Sequence, residues 1–252
     1  MWRAILPVFV MIAGCSFARG STPVTGQPGA EPDAGPGPGS GTTAAACHVA
    51  DSTIRLCLDF EGNVVPTAVD LSTGYHDATT LAVMPMPRGT QQAVQLISES
   101  LITVPETVDL DISQFLSIEM WLAPSTRSDP TSYPLANRTQ YAMSYDRDGL
   151  LGCAVGTNAT GTSRDLLALN VFTHVGCTYD GAMVRLFVGG DVVGCRSAHG
   201  PIPTGGTTGT SIGAGRFLGG MDDIHVYARA LTASEMCARA GRIVCNTVCP
   251  AT

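Results

Sequence analysis

The amino-acid sequence predicts an all-β sandwich of two antiparallel sheets, closed by one short C-terminal helix. From Ile54 onward, short stretches alternate apolar and polar residues, which is the pattern of strands with one buried face. Gly, Pro, Asn and Asp separate these stretches, as turns between antiparallel strands require. With 252 residues, of which 44% are hydrophobic, the chain can bury one substantial core.

The first half of the predicted sandwich contains four strands. Residues 53–60 place one apolar residue at every second position, namely Ile54, Leu56, Leu58 and Phe60. Gly and Pro residues interrupt the pattern, and "QQAVQLIS" and "LITVPE" then predict a pair of strands. Residues 115–124 alternate again, and we expect Phe115 and Trp121 in the core.

The second half continues with five short strands and ends in a helix. The strands are predicted at "YAMSYD", "LLGCAVG", "FTHVGCTYD", "AMVRLFVGG" and "DVVGC". Asp180–Gly181, between two of them, predicts a tight hairpin turn. Thr232 and Glu235 have the spacing of a capping box, and Gly241 is a typical stop. The sequence therefore predicts a helix of about two turns from Ala233 to Ala240.

The N-terminal segment has the pattern of an exported, lipid-anchored protein. Arg3 precedes a short apolar run, which fits a signal peptide better than a membrane span. The following "IAGC", ending at Cys15, resembles the lipobox of bacterial lipoproteins, so residues 1–15 are predicted to be a signal peptide and Cys15 the lipidated residue. Ser16 after the Cys indicates the outer membrane. The alternative is an ordinary signal peptide cleaved near Ala18.

Residues 16–46 are predicted to form a disordered tether. Pro, Gly, Ser, Thr and Ala dominate this segment, so it cannot bury enough apolar surface to fold. It would connect the lipid anchor to a domain at 47–252 that faces the periplasm or the exterior. The net charge of −7 and the absence of a basic run argue against nucleic acid as a partner.

The cysteine count predicts a disulfide-reinforced domain. Besides Cys15, the chain contains eight Cys residues, which can form four disulfides in an exported protein: Cys47, Cys57, Cys153, Cys177, Cys195, Cys237, Cys245 and Cys249. We expect a Cys153–Cys177 bridge, and a bridge from the three C-terminal cysteines back to Cys47. Zinc is the weaker alternative, because "CNTVC" has no second close pair or His partner.

Four blocks resemble the laminin-G-like, concanavalin A-like jelly rolls of bacterial surface proteins. They are "LCLDFEGN…AVDLSTGYHDAT", "FLSIEMWLAP", "FTHVGCTYDGAMVRLFVGGDVV" and "GGMDDIHVYARALTASEM", and they follow the family's order across Ile54 to Met236. Phe172 replaces the usual Trp of the third block, and Gly189 replaces an Asp. The resemblance implies a jelly-roll sandwich.

The resemblance also implies a possible structural calcium ion. Related jelly rolls often hold one Ca²⁺ where the opening loop meets the closing strand. The matching positions are Glu61 and Asp70 in the opening block and Asp222 and Asp223 in the closing block. Carboxylates from separate loops suit this ion. The alternative is that Asp222 and Asp223 accept hydrogen bonds within turns.

The sequence does not favour catalysis. Asp59 with Glu61, and Asp109 with Asp111, have the two-residue spacing that could present paired acids for glycoside hydrolysis. Neither pair has the Glu-x-Asp-x-x-Glu pattern of concanavalin-like glucanases. His174 and His225 lie in predicted strands, where a structural role is expected. We therefore expect no enzyme, with a glycoside hydrolase as the alternative.

The predicted function is non-catalytic recognition of carbohydrate or of another surface protein. Sugar-binding sites use exposed aromatic rings together with polar groups. One polar segment offers both kinds of side chain and is the predicted ligand site: Tyr133, Tyr141, Tyr145, Asn137 and Arg138. An adhesion or structural role without sugar binding is a further alternative.

Overall fold

A computed structural model describes residues 47, 51–128, 130–137, 140–163, 166–205 and 208–251. The chain divides into two compact units, residues 1–39 and residues 40–252, and every described residue belongs to the second unit. The predictions for the signal peptide, for Cys15, for the tether and for Arg138 lie outside the described residues. Within the described residues, no helix is long and apolar enough to span a membrane.

Strands are the main regular element of the described domain. Their bounds are β1 (Ile54–Leu58), β2 (Thr67–Ala68), β3 (Ala78–Arg88), β4 (Gln91–Val104), β5 (Leu116–Pro124), β6 (Ser132–Asn137), β7 (Tyr141–Tyr145), β8 (Leu151–Val155), β9 (Asn158–Thr162), β10 (Thr173–Tyr179), β11 (Met183–Val188), β12 (Asp191–Ser197), β13 (Thr210–Ala214) and β14 (Gly219–Tyr227). A 3₁₀ turn covers Val108–Leu110, and the helix α1 covers Ala233–Arg239. The predicted all-β class with one short C-terminal helix is confirmed.

All strand pairs are antiparallel, and they form one long ladder that folds into two layers. The order is β12-β11-β10-β5-β14-β4-β13-β6-β7-β8-β9, with β1 on β14 and with β2 and β4 on β3. The start of β14 pairs with both β5 and β4, so it joins the two layers. At the far end, β8 and β9 pack against β11 and β12. This closure gives the jelly-roll sandwich that the sequence pattern predicts.

Strand β5 shows how the alternating sequence builds two faces. Leu116, Ile118, Met120 and Leu122 point into the main core between the layers. Ser117 and Glu119, at the alternate positions, are also buried, but they lie on the opposite face of the sheet. The face that usually meets water in such a sheet is therefore covered in this chain.

A second, smaller apolar cluster provides that cover. It combines residues of the N-terminus, the strands and α1: Cys47, Ile54, Cys57, Phe187, Val192, Tyr227, Leu231 and Met236. Gly176 on β10 makes room for the helix, because a Cβ at this position would lie 2.9 Å from the Met236 side chain. The helix therefore packs directly onto the outer face of the sheet.

The predicted hairpin and helix are both confirmed. Asp180 Oδ1 accepts hydrogen bonds from the N–H groups of Ala182 and Met183 at 3.0 and 2.7 Å, and Gly181 takes a φ of +84°, which favours Gly. At the helix, Thr232 and Glu235 form the reciprocal capping box. The Asp-Gly turn and the capping box could be predicted from neighbouring residues in the chain alone.

Two sequence predictions about pairing are corrected. "QQAVQLIS" and "LITVPE" belong to one strand, β4, with an irregularity of the ladder between them, and the partner of both stretches is β3. The Cys153–Cys177 disulfide is confirmed, and it links β8 to β10. Cys47, however, bonds to Cys57 and not to the C-terminal cysteines. These form Cys195–Cys249 and Cys237–Cys245, because the tail folds onto β12 and α1.

Candidate functional site

The predicted tyrosine patch does not form a surface. Tyr133 is 40% exposed, but Tyr141 is 1% and Tyr145 0% exposed. The Tyr141 hydroxyl donates to the Leu110 carbonyl at 3.1 Å and accepts from Asn137 Nδ2 at 3.2 Å. Tyr145 packs edge-on against Phe217. The expectation that Tyr141, Tyr145 and Asn137 line a ligand site is therefore wrong, because alternate residues of these strands point into the core.

The paired acids of the closing strand hold an arginine. Arg88 Nε bonds to Asp222 Oδ2, and Arg88 Nη2 bonds to Asp223 Oδ2. Both acids are buried, at 0% and 8% exposure, and they sit at an irregularity in the β14–β5 ladder. The guanidinium also lies 4.8 Å from the centroid of the Trp121 ring. Arg88 is thus enclosed by two carboxylates and an aromatic face, which suits a planar, delocalised cation.

Two buried carboxylates sharing one cation affect each other's protonation. Burial and the neighbouring Asp223 charge raise the pKa of Asp222 to about 7, although the hydrogen bond and charge of Arg88 lower it. Burial also raises the pKa of Asp223. One guanidinium does not fully neutralise both acids, so the site favours taking up a proton.

The other two predicted calcium ligands belong to separate networks. Asp70 accepts four hydrogen bonds within its own loop region, from the N–H groups of Cys57, Ser72 and His76 and from the Ser72 hydroxyl. Glu61 accepts from the N–H of Gln92 at 3.2 Å. The four predicted ligands are therefore divided among three sets of partners. Calcium at Asp222 and Asp223 would have to displace Arg88, so the calcium site stays a prediction.

A buried glutamate that the sequence analysis passed over organises the outer face of the sheet. Glu119 Oε1 accepts from the Tyr227 hydroxyl at 2.8 Å and from Arg239 Nη1 at 2.7 Å. Glu119 Oε2 lies 3.1 Å from His174 Nε2, and His225 Nδ1 lies 3.5 Å from Oε1. The carboxylate thus ties β5 to β10, β14 and α1.

The electrostatics of Glu119 indicate a structural charge. Burial alone would raise its pKa, but the hydrogen bond from His174 and the charges of His225 and Arg239 lower the pKa of Glu119 to about 2. The acid is therefore ionised over the physiological range and cannot act as a proton donor there. His174 and His225 serve this network, as expected from their strand positions.

An open cleft lies where β1 and β14 meet the loop around the 3₁₀ turn. Its volume is about 260 Å³. Phe115 forms part of its wall and is 45% exposed, so the expectation that Phe115 belongs to the core is wrong. The ring lies beside the β10–β11 turn, where a Cβ at Gly181 would come within 3.3 Å of it. Polar groups complete the lining: Arg55, Asp109, Asp111, Ser113 and Gln114.

The two acids of the cleft differ in how firmly they are held, since Asp109 is half exposed and Asp111 accepts two hydrogen bonds. Asp109 Oδ2 lies 3.2 Å from His76 Nε2. Asp111 accepts a hydrogen bond from the Gln140 side chain and another from the N–H of Gly205 at 3.3 Å. The cleft thus combines an exposed ring with two carboxylate acceptors.

A second, larger cavity lies beside the β3–β4 hairpin. It measures about 510 Å³ and is lined by Glu61 and hairpin residues, none of them aromatic. Glu61 belongs to the other predicted acid pair, but the Asp59 side chain accepts the backbone N–H of Glu61 at 3.2 Å, as in a turn. The cavity therefore offers polar groups without a stacking surface.

Sequence reasoning missed Arg88, Glu119, Arg239 and the cleft. The sequence did contain a signal for Glu119. The residue occupies a strand position between the apolar ones, where an acid must either face water or find a partner. Its partners lie 55 to 120 residues away in the chain. No local pattern connects residues at such distances.

Comparisons with known proteins agree with this architecture. Residues 97–237 match the family model described as the concanavalin A-like lectin/glucanases superfamily. The chain belongs to this superfamily. A search of curated protein sequences finds no match.

Several solved structures share the fold at low sequence identity. Domain 4 of AbnA, a GH43 extracellular arabinanase from Geobacillus stearothermophilus in complex with arabinotriose, is 18% identical over 75% of this chain and 98% of that chain, with a TM-score of 0.61. The binding domain of Paraclostridial Mosquitocidal Protein 1 is 15% identical over 75% of this chain and 52% of its own, with a TM-score of 0.56.

A third neighbour is a toxin domain bound to a ligand. The binding domain of Botulinum Neurotoxin DC in complex with SialylT is 12% identical over 75% of this chain and 51% of its own, with a TM-score of 0.56. At these identities the likeness shows the fold alone, because one fold hosts many functions.

Proposed function

We propose that the domain is a non-catalytic module that binds carbohydrate in the cleft formed by Phe115, Asp109 and Asp111. The observation that carries this proposal is the exposed Phe115 ring beside the carboxylates of Asp109 and Asp111 in the same cleft. Sugar sites need an apolar face for the ring and acceptors for its hydroxyl groups. The residues that line this cleft provide both an apolar face and hydrogen-bond acceptors.

Each side of the cleft has a role in this proposal. The Phe115 ring stacks on the apolar face of a sugar ring, and the carboxylates of Asp109 and Asp111 accept hydrogen bonds from hydroxyl groups. Arg55 and Gln114 supply donors. Because 260 Å³ is slightly below the roughly 300–1,000 Å³ of common small-molecule sites, we expect one sugar unit or the end of a chain to bind.

The proposal assigns the two acids to ligand binding and not to hydrolysis. A glycosidase needs one acid that can donate a proton and a second that reacts or activates water. Asp111 accepts hydrogen bonds from Gln140 and Gly205 at both oxygens, and Asp109 lies against His76. In this proposal both acids orient the ligand by accepting hydrogen bonds from its hydroxyl groups. If the domain nevertheless hydrolyses a glycan, Asp109→Asn and Asp111→Asn should each abolish product release.

Two comparisons support a carbohydrate partner. The arabinanase domain and the neurotoxin binding domain were each solved in complex with a ligand, arabinotriose and SialylT respectively. These ligands belong to those two proteins. The family description covers both lectins and glucanases. For this chain they make sugars the first ligand class to test.

Recognition of a surface protein is the second candidate. The C-terminal segment exposes Ile243, Val244 and Val248 at 100%, 78% and 69%. Two disulfides anchor this segment, Cys237–Cys245 and Cys195–Cys249. Exposed aliphatic side chains on a clamped segment fit contact with another protein better than contact with a sugar.

The proposed cell-envelope location rests on the N-terminal sequence. Lipidation of Cys15 would anchor the chain, and residues 16–46 would hold the domain away from the membrane. Cys15→Ser should abolish incorporation of a labelled fatty acid and release the protein from the membrane fraction. Unchanged labelling and fractionation of Cys15→Ser would refute the anchor.

The sugar proposal is tested by a glycan array followed by titration of the best glycan. Phe115→Ala should weaken the affinity about tenfold or more, since it removes a buried aromatic contact on binding. Tyr133→Ala is the matched control, because Tyr133 is 40% exposed but does not line the cleft. Equal affinities of wild type and Phe115→Ala would place binding elsewhere, and no binding to any glycan would favour the protein-recognition candidate.

A further inference from the structure

One disulfide of this domain lies directly against a histidine. Cys47 and Cys57 are bonded, and Cys47 Sγ lies 3.8 Å from His225 Nε2. The two sulfurs and one ring nitrogen all lie within 4.8 Å of one another, and the three residues are buried. The residues come from the N-terminus of the domain, from β1 and from β14, so the sequence gives no spacing motif for them.

The histidine is oriented with its free nitrogen toward the sulfurs. His225 Nδ1 lies 2.9 Å from the backbone carbonyl oxygen of Asp223. Because a carbonyl only accepts, Nδ1 carries the proton and donates it. In the neutral ring, Nε2 then holds a lone pair, and this lone pair faces Cys47. Metal-bound histidines typically show this arrangement, with the second nitrogen donating to a carbonyl or carboxylate.

A carboxylate stands behind the histidine as well. Glu119 Oε1 lies 3.5 Å from His225 Nδ1, and Glu119 is itself fixed by Tyr227 and Arg239. A carboxylate at this place helps to fix the plane of the ring. His225 therefore has the supporting groups that a metal ligand typically has. The Glu119 network does not by itself explain why Nε2 faces a sulfur.

We propose that reduction of the Cys47–Cys57 disulfide converts this cluster into a binding site for one Zn²⁺ ion. A dithiol or phosphine reductant supplies two electrons, the S–S bond breaks, and the two sulfurs become thiols. Zn²⁺ then displaces the two thiol protons to solvent and binds both thiolates and His225 Nε2. Two sulfurs and one imidazole are ligands that Zn²⁺ prefers, with a fourth position left for water.

Opening this disulfide need not unfold the domain. Cys57 lies in β1, which pairs with β14 from Ile54 to Leu58, and these backbone hydrogen bonds do not depend on the bridge. The bridge closes only a 10-residue separation, so its loss relaxes a short segment of the unfolded chain. The domain would therefore bind zinc under reducing conditions and hold a disulfide under oxidising ones.

The experiment compares zinc affinity of the folded domain before and after treatment with a phosphine reductant. Alkylation and mass spectrometry identify the opened disulfides, and circular dichroism checks the fold. The paired variant Cys47→Ser with Cys57→Ser retains the other six domain cysteines and controls for zinc bound by them. Co²⁺ replaces Zn²⁺ in a parallel titration, since thiolate-to-cobalt absorption reports sulfur ligation directly.

The proposal predicts that the reduced wild type binds one equivalent of Zn²⁺ more than the reduced paired variant, and that the oxidised wild type lacks this equivalent. His225→Gln should lower the affinity for that equivalent about 100-fold, at or beyond the range for loss of a supporting group. Equal stoichiometry of wild type and paired variant, no effect of His225→Gln, or a bridge that resists reduction in the folded domain would each overturn it.

Discussion

The pairing of Arg88 with Asp222 and Asp223 makes a strong prediction about stability. Arg88→Met keeps the apolar stem but removes the cation shared by two buried acids. The Arg88 side chain is only 13% exposed, so water cannot replace the guanidinium well. Removing one partner of such a buried group costs about 3–5 kcal/mol. For a domain of this size, that lowers the midpoint of thermal unfolding, Tm, by about 6–20 °C.

The pH dependence separates this mechanism from a loss of packing. The pKa of Asp222 is raised to about 7 even with Arg88 present, and removal of Arg88 raises it further. A raised folded-state pKa means that stability is fully present below the unfolded pKa, near 3.8, and is lost as the pH rises through the folded pKa. Arg88→Met should therefore be most destabilising at about pH 8 and much less so at about pH 5.

Urea unfolding at both pH values measures this effect. Arg196→Met removes an exposed arginine and should change the free energy of unfolding by less than about 0.5 kcal/mol. A loss below about 1 kcal/mol for Arg88→Met, or an equal loss at both pH values, would refute the reasoning.

Three further perturbations probe other parts of the account. Glu119→Gln should lower the free energy of unfolding by about 3 kcal/mol near neutral pH. This difference from wild type should shrink as the pH falls from 4.5 toward 2, because the stabilisation by Glu119 is lost as the pH falls through its lowered pKa. Equal differences in acid and neutral urea titrations would contradict this. The predicted calcium site and the Arg88 pairing differ in what excess Ca²⁺ does: a wild-type calcium site raises Tm by mass action, whereas acids held by Arg88 leave the wild-type Tm unchanged. In the second case Arg88→Met, which frees both acids, should gain a Ca²⁺-dependent rise in Tm. Thr232→Ala should lower the free energy of unfolding by about 1 kcal/mol through loss of the helix cap, and no change in thermal unfolding would show that the cap contributes little.

Local patterns predicted the fold well. The alternation in residues 115–124 assigned the core residues of β5, and Asp180–Gly181 and the Thr232–Glu235 pair located a turn and a helix that the structure confirms. These signals work because each depends on neighbours in the chain. The family resemblance added the order of the strands.

The candidate site could not be predicted in the same way. Tyr141 and Tyr145 occur in a polar stretch of sequence, but their side chains fall on the inward phase of β7. Phe115 has the opposite phase to the inward-facing Leu116, so the expectation of a core position followed its apolar character and not the alternation. Arg88 finds its acids 134 and 135 residues further along the chain. Such partners depend on strand register, which only the folded chain defines.

The most direct test of carbohydrate recognition is calorimetric titration of the best array glycan against wild type, Phe115→Ala and Tyr133→Ala. The account predicts that Phe115→Ala weakens binding about tenfold or more, while Tyr133→Ala binds as wild type does. Equal binding by wild type and Phe115→Ala, or a loss confined to Tyr133→Ala, would contradict it.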